Sequence, residues 1–122
     1  MKPDDGFVLG RLKSTIYAFK GFWILISTEH SFIFHGVISL ILIALGFYNN
    51  ITSTEWGLQV IAIGLVMAAE ALNTAVEKLS DHVEPALHNT IGAIKDVGAA
   101  AVLVGLFVEI AIVAIIYVPK IW

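Results

Sequence analysis

The sequence predicts an all-α integral membrane protein, with an N-terminal interfacial amphipathic helix followed by three transmembrane helices. Three observations predict it. Of the 122 residues, 58% are hydrophobic and only 14% are charged, with a mean hydropathy of +0.88. A soluble domain of this length needs more polar groups to cover its surface. Three apolar stretches stand out, at 32–48, 57–69 and 97–118, the last interrupted only by Glu109. Lys and Arg are distributed unevenly between the two sides that those stretches define.

The length suits a single domain, 1–122. Its first element, about 4–28, has Asp4 and Asp5 as candidate caps. Leu12, Ile16, Phe19, Trp23 and Ile26 then recur at helical spacing among Arg11, Lys13, Tyr17 and Lys20. That pattern fits a helix lying in the membrane interface, or equally a positively charged anchor. The first span, about 30–48, ends at Tyr48-Asn49-Asn50. Thr52 and Glu55 have the spacing of a capping box and start the second span, about 54–84. The short link makes these two spans an antiparallel hairpin. About 20 residues are needed to cross a hydrocarbon core of about 30 Å. The second span reaches that length only by continuing past Glu70 towards Leu79. Pro85 stops it, and Asn89 and Thr90 are candidate N-caps for the third span, about 90–119. Small residues at Ala71, Ala75, Gly98, Ala101 and Gly105 permit close helix approach.

Six basic residues (Lys2, Arg11, Lys13, Lys20, Lys78 and Lys95) fall on one side, against Lys120 on the other. The N-terminus and the 80s loop are therefore expected in the cytoplasm, with Trp56 and Trp122 at the outer interface and Trp23 at the inner one. The charged N-terminal stretch does not read as a signal peptide, so the spans themselves are expected to do the targeting. Absence of cysteine excludes disulfides, thiol catalysis and cysteine-based zinc sites. A net charge of −3 argues against nucleic acid as a partner.

Chemistry concentrates on the second span. At about 100° per residue, Asn73, Glu77 and Asp81 all lie within roughly 60° of Glu70, opposite Leu72, Val76 and Leu79. The stripe begins in the bilayer and emerges towards the cytoplasm. A charge at the centre of a membrane helix costs about 2.5–3.5 kcal/mol, so Glu70 calls for a reason. Coordination of a hard cation such as Mg²⁺ is one; proton transfer through Glu70 is the other. Glu77 and Asp81, nearer the helix end, are also compatible with simple solvation, Asp81 most of all. Glu29 before the first span and Lys95-Asp96 at the start of the third lie on the same side; each taken alone is an ordinary interfacial charge. Neither a Walker phosphate loop nor Gly-x-Gly-x-x-Gly is present, nor is His-Glu-x-x-His.

The block Glu70-Ala-Leu-Asn73-Thr-Ala-Val-Glu77, then Asp81, then Lys95-Asp96 resembles the signature of the prokaryotic diacylglycerol kinase family, which includes the undecaprenol kinases. The resemblance extends to Arg11-Leu-Lys13-Ser-Thr-Ile-Tyr17-Ala-Phe-Lys20-Gly21, to Thr28-Glu29-His30 and to the order of the spans, nearly the whole chain. It implies a homotrimeric lipid kinase of the bacterial cytoplasmic membrane. Such an enzyme transfers the γ-phosphoryl group of ATP, with Mg²⁺, to diacylglycerol or undecaprenol on the cytoplasmic side. By position, Glu70 is then the general base and Glu29 and Glu77 hold Mg²⁺. Lys95 contacts the phosphates; Asn73, Asp81 and Asp96 complete the site; Tyr17, Arg11 and His88 lie towards the nucleotide. Phosphoryl transfer asks for charge neutralisation and positioning, which this set supplies.

Some positions depart from the family pattern. Ile33 stands where a basic residue is usual, Ala86 and Leu87 replace common Glu and Tyr, and Glu109 is not expected within the third span. Two other functions fit parts of the sequence. A small proton or cation conductor accounts for Glu70 and Glu109, but not for Glu29, Lys95 and Asp96 on one side. A non-catalytic scaffold of the same family accounts for the loop departures. ATP consumption that depends on added lipid separates them from a kinase. The Arg-Leu-Lys-Ser start and the Glu-Ala-Leu-Asn-Thr-Ala block lean towards the undecaprenol kinases, without fixing the acceptor.

Overall fold

A computed structural model describes residues 3–83 and 88–122, and of His88 the backbone only. The described residues form α1 (Phe7–Thr28), α2 (His30–Tyr48), α3 (Ser53–Val83) and α4 (His88–Ile121). The last three are long and apolar enough to cross a membrane. The surface agrees with a lipid setting: Phe34, Leu40, Ile61, Val104, Phe107 and Ile110 all point outward.

The first helix starts later than the Asp4–Asp5 pair suggests. Gly6 is its N-cap and makes no side-chain cap bond. Asp5 instead reaches forward to Lys13, 3.1 Å away. Leu12, Ile16, Phe19, Trp23 and Ile26 are exposed, as are most side chains of α1. At the far end, the Ser27 and Thr28 hydroxyls donate to the carbonyls of Trp23 and Ile24, both at 2.6 Å. Such bonds compete with the helical ladder and favour a bend. The helix stops there, and Glu29 turns extended (φ −101°, ψ 106°) before α2 begins.

The α2–α3 turn is fully accounted for by local chemistry. Asn50 is left-handed (φ 51°), a conformation that Asn tolerates. The amide of Asn50 donates to the Phe47 carbonyl at 3.3 Å and that of Ile51 to the Gly46 carbonyl at 3.2 Å. These two bonds make a Schellman motif. The expected capping box follows at once. The Thr52 amide donates to Glu55 Oε1 at 2.9 Å, and the Glu55 amide donates to Thr52 Oγ1 at 3.2 Å. Ile51 and Trp56 pack at the same corner. Gly46 is required there, because a Cβ would lie 2.6 Å from the Trp56 ring.

Helices α3 and α4 run antiparallel. Gly98 meets Asn73, Gly105 meets Val66, and Lys120 meets Glu55 at 3.0 Å. At the hairpin end the core is Leu42, Ile51, Ile116 and Tyr117. Gln59, buried within it, donates to the Leu42 carbonyl at 3.1 Å and accepts from the Tyr117 hydroxyl at 2.6 Å. Three helices are thereby tied together by polar bonds inside an apolar core. The α4 helix already includes Asn89 and Thr90, so neither is its N-cap as the sequence suggests; its ladder is extended by an earlier start at His88. Pro85, Ala86 and Leu87 lie outside the described residues.

Candidate active site

The site lies at the end of the bundle away from the hairpin, where the α1–α2 break faces the C-terminal half of α3 and the start of α4. Its base is Glu70, 5% exposed although it is an acid in a membrane helix. One turn on, Asn73 is also buried, and its Nδ2 donates to Glu77 Oε1 at 3.2 Å. Glu77 and Asp81 are exposed. The stripe therefore passes from buried to solvated along its length, as its periodicity predicts, with Leu72 and Leu79 turned outward on the other face.

Packing explains how Asn73 fits. A Cβ on Gly98 would stand 2.4 Å from Asn73 Oδ1, so a larger residue there would push the amide aside. That Oδ1 is buried and makes no hydrogen bond to the described residues. A buried polar atom without a partner is uncommon and marks a position suited to a further donor.

Two other sequence candidates are brought to the same end by ion pairs with α3. Glu29, in the α1–α2 break, lies 2.9 Å from Lys78 Nζ. Lys95 on α4 pairs with Asp81. Asp96, beside it, is exposed. Lys78 was not among the residues singled out for the site; it stands directly after Glu77 and its pairing needs the fold to be seen. Tyr17 and Arg11 remain on α1, with the Lys20 ammonium 5.6 Å from the Tyr17 ring and the Arg11 guanidinium 5.8 Å from Phe7. Between α1 and α3, Ala18, Gly21, Leu25, Ala71, Ala75 and Lys78 line a groove of about 430 Å³. The His88 side chain lies outside the described residues. Ile33, the departure from the family's basic residue, is exposed on α2.

His35 is the site neighbour that sequence reading missed. Its Nε2 lies 3.5 Å from Glu70 Oε2, and both side chains are buried. Its Nδ1 has no hydrogen-bond partner among the described residues. Glu109, buried on α4, is within electrostatic reach of the same imidazole. A histidine inside an apolar span was the available signal. On the other side of Asn73, α3 and α4 leave an apolar groove of about 780 Å³ lined by Leu72, Val76, Val97 and Gly98 among others.

Together these groups set a buried carboxylate, Glu70, below two ion pairs nearer the helix end, Glu29 with Lys78 and Asp81 with Lys95. Lys78 and Lys95 can neutralise an anion near water. Comparison with known proteins gives the chain's relatives. The profile of the prokaryotic diacylglycerol kinase family matches residues 16–117. An undecaprenol kinase of Bacillus subtilis is 32% identical over 108 residues, covering 88% of each chain. A diacylglycerol kinase of Haemophilus influenzae is 34% identical over 106 residues, 87% of this chain and 86% of its own. A diacylglycerol kinase of Escherichia coli K12 is 29% identical over 99 residues, 81% of each chain.

Proposed function

The chain belongs to the prokaryotic diacylglycerol kinase family, a family of lipid kinases, and from that premise we propose that it moves the γ-phosphoryl group of ATP to the hydroxyl of a membrane lipid, with Mg²⁺ as cofactor. The acceptor is diacylglycerol or undecaprenol, the two substrates carried in the relatives' names. The observation that carries the reading is the graded stripe on α3. It offers a buried carboxylate at lipid depth and, about two to three turns closer to water, exposed carboxylates with their lysines.

Each residue then has a task. Glu70 takes the proton from the lipid hydroxyl as that oxygen meets the γ-phosphorus. Asn73 holds Glu77 by its amide, with its Oδ1 buried against Gly98. Lys95 neutralises phosphate charge, with Asp81 and Asp96 beside it. Arg11, Tyr17 and His88 belong to the nucleotide side.

The donor set fits a Mg²⁺ ion. No three His, Asp or Glu side chains among the described residues form a protein-only cage, and Mg²⁺ is commonly held by one or two carboxylates with substrate phosphates completing the shell. Glu29 and Glu77 supply those two carboxylates, and Glu29 already attracts a cation, the Lys78 ammonium. Bound there, the ion would neutralise phosphate charge as it builds in the transition state.

The assembly is a homotrimer in this reading, and the open groove between α3 and α4 offers a face to a neighbouring chain. The active end faces the cytoplasm, where the basic residues gather. The test is transfer from radiolabelled ATP by purified protein, with diacylglycerol and undecaprenol in parallel. One lipid should become labelled. Glu70→Gln should lower turnover at least about 100-fold while the oligomer elutes and melts as before. Normal turnover in that variant would remove Glu70 as the base.

A further inference from the structure

On that kinase reading, Lys78 occupies a telling position: its Nζ lies 2.9 Å from Oε1 of Glu29, one of the two carboxylates assigned to the metal. One turn further along α3 the arrangement is repeated, with Lys95 on Asp81. Both ammonium groups thus sit on carboxylates of the site rather than on residues remote from it. An ammonium and a divalent ion cannot share one carboxylate face without like-charge repulsion. Mg²⁺ requires oxygens at about 2.0–2.1 Å in a near-octahedral shell. For the ion to bind Glu29, Lys78 must therefore move.

The move is easy. The Lys78 side chain is 60% exposed and that of Glu29 25%, and ion pairs this open to water are weak. Lysine carries its charge on a flexible four-carbon stem, and Lys78 neighbours Glu77 in sequence, so its ammonium can stay at the site after leaving Glu29. Mg·ATP delivers both replacements at once, a cation for Glu29 and phosphate oxygens for the ammonium. We propose that Lys78 is an exchange cation, which holds Glu29 until the metal–nucleotide complex arrives and then transfers to the polyphosphate. It is a nucleotide-binding residue outside the set that the family resemblance supplies.

Two measurements on the detergent-purified full chain test this. Mn²⁺ alone, without nucleotide, is titrated and followed by electron paramagnetic resonance. Lys78→Met keeps the stem and removes the competing charge, so Mn²⁺ should bind roughly two- to fivefold more tightly. The gain should vanish when Glu29→Gln is present in both partners of the comparison. In lipid-dependent turnover, Lys78→Met should raise KM for Mg·ATP about tenfold, with the loss in KM rather than kcat. Lys78→Arg should restore the KM, and Lys78→Gln serves as the second charge-removing variant if the methionine form does not fold. Unchanged or weaker Mn²⁺ binding in Lys78→Met overturns the exchange, and an unchanged KM overturns the transfer to nucleotide. Absence of lipid-dependent turnover in the unsubstituted protein counts against the kinase reading itself, whereas the Mn²⁺ comparison needs no turnover and judges Lys78 alone.

Discussion

At the scale of single residues, the contact between Gly98 and Asn73 joins packing to chemistry. A Cβ at position 98 would stand 2.4 Å from Asn73 Oδ1, whereas one at Gly105 would lie 3.5 Å from Val66, an ordinary contact. Gly98→Ala should therefore displace the amide, loosen its bond to Glu77 and lower kcat about tenfold or more, since small misplacements near reacting groups are amplified in rate. Gly105→Ala should leave both melting temperature and turnover near their starting values. Lipid-dependent ATP consumption and thermal melting in detergent measure the pair; equal effects at the two positions would contradict this account. The stripe from Glu70 to Asp81 was legible in the sequence because four positions on one helix obey a fixed angular period. His35 against Glu70, Lys78 against Glu29 and Gly98 beneath Asn73 were not, because each joins two helices whose rotation about their axes no local pattern specifies.

Among the elements, the α2–α3 hairpin is the most fully determined by its own sequence. Asn50 adopts the left-handed conformation, and Thr52 and Glu55 cap each other. Asn50→Gly should be neutral, while Asn50→Val should destabilise by about 1–2 kcal/mol, the cost of a left-handed residue with a bulky side chain; melting in detergent measures both. A drop of equal size in the glycine variant would mean that the Asn side chain, not its backbone, holds the turn. The capping box was legible because its partners are three residues apart. The bond from Tyr117 to Gln59 spans 58 residues and left no local trace beyond one amide in an apolar helix. The start of α1 was misread for a related reason: Asp5 can cap a helix or pair with a base one or two turns on, and Lys13 takes it. The start of α4 differs because Asn89 and Thr90 fit the first turn of a helix as well as its cap.

For the molecule as a whole, helix lengths set the height of the site. At about 1.5 Å per residue, the 31 residues of α3 span about 46 Å, well beyond a hydrocarbon core of about 30 Å. The length of this helix was legible from its brackets, because Thr52-Glu55 and Pro85 put the second span at about 54–84, against Ser53–Val83 in the fold. With the hairpin corner anchored at Thr52 and Trp56, Glu70 stands about 26 Å along α3 from Ser53, and Asp81 about 42 Å. With α3 upright and one hydrocarbon edge at Ser53, Glu70 would lie just beneath the other edge of an average bilayer and Asp81 above it. Such a helix would act as a fixed ruler, and membrane thickness would become a control on the proposed reaction. In vesicles of long-chain lipids the hydrocarbon should rise over Glu77 and hinder nucleotide entry. In short-chain lipids Glu70 should meet water and lose its access to a buried hydroxyl. Turnover measured across a series of acyl-chain lengths should pass through a maximum, falling on both sides by hydrophobic mismatch; a flat profile would mean that the bundle tilts to compensate and that the ruler slides with the membrane.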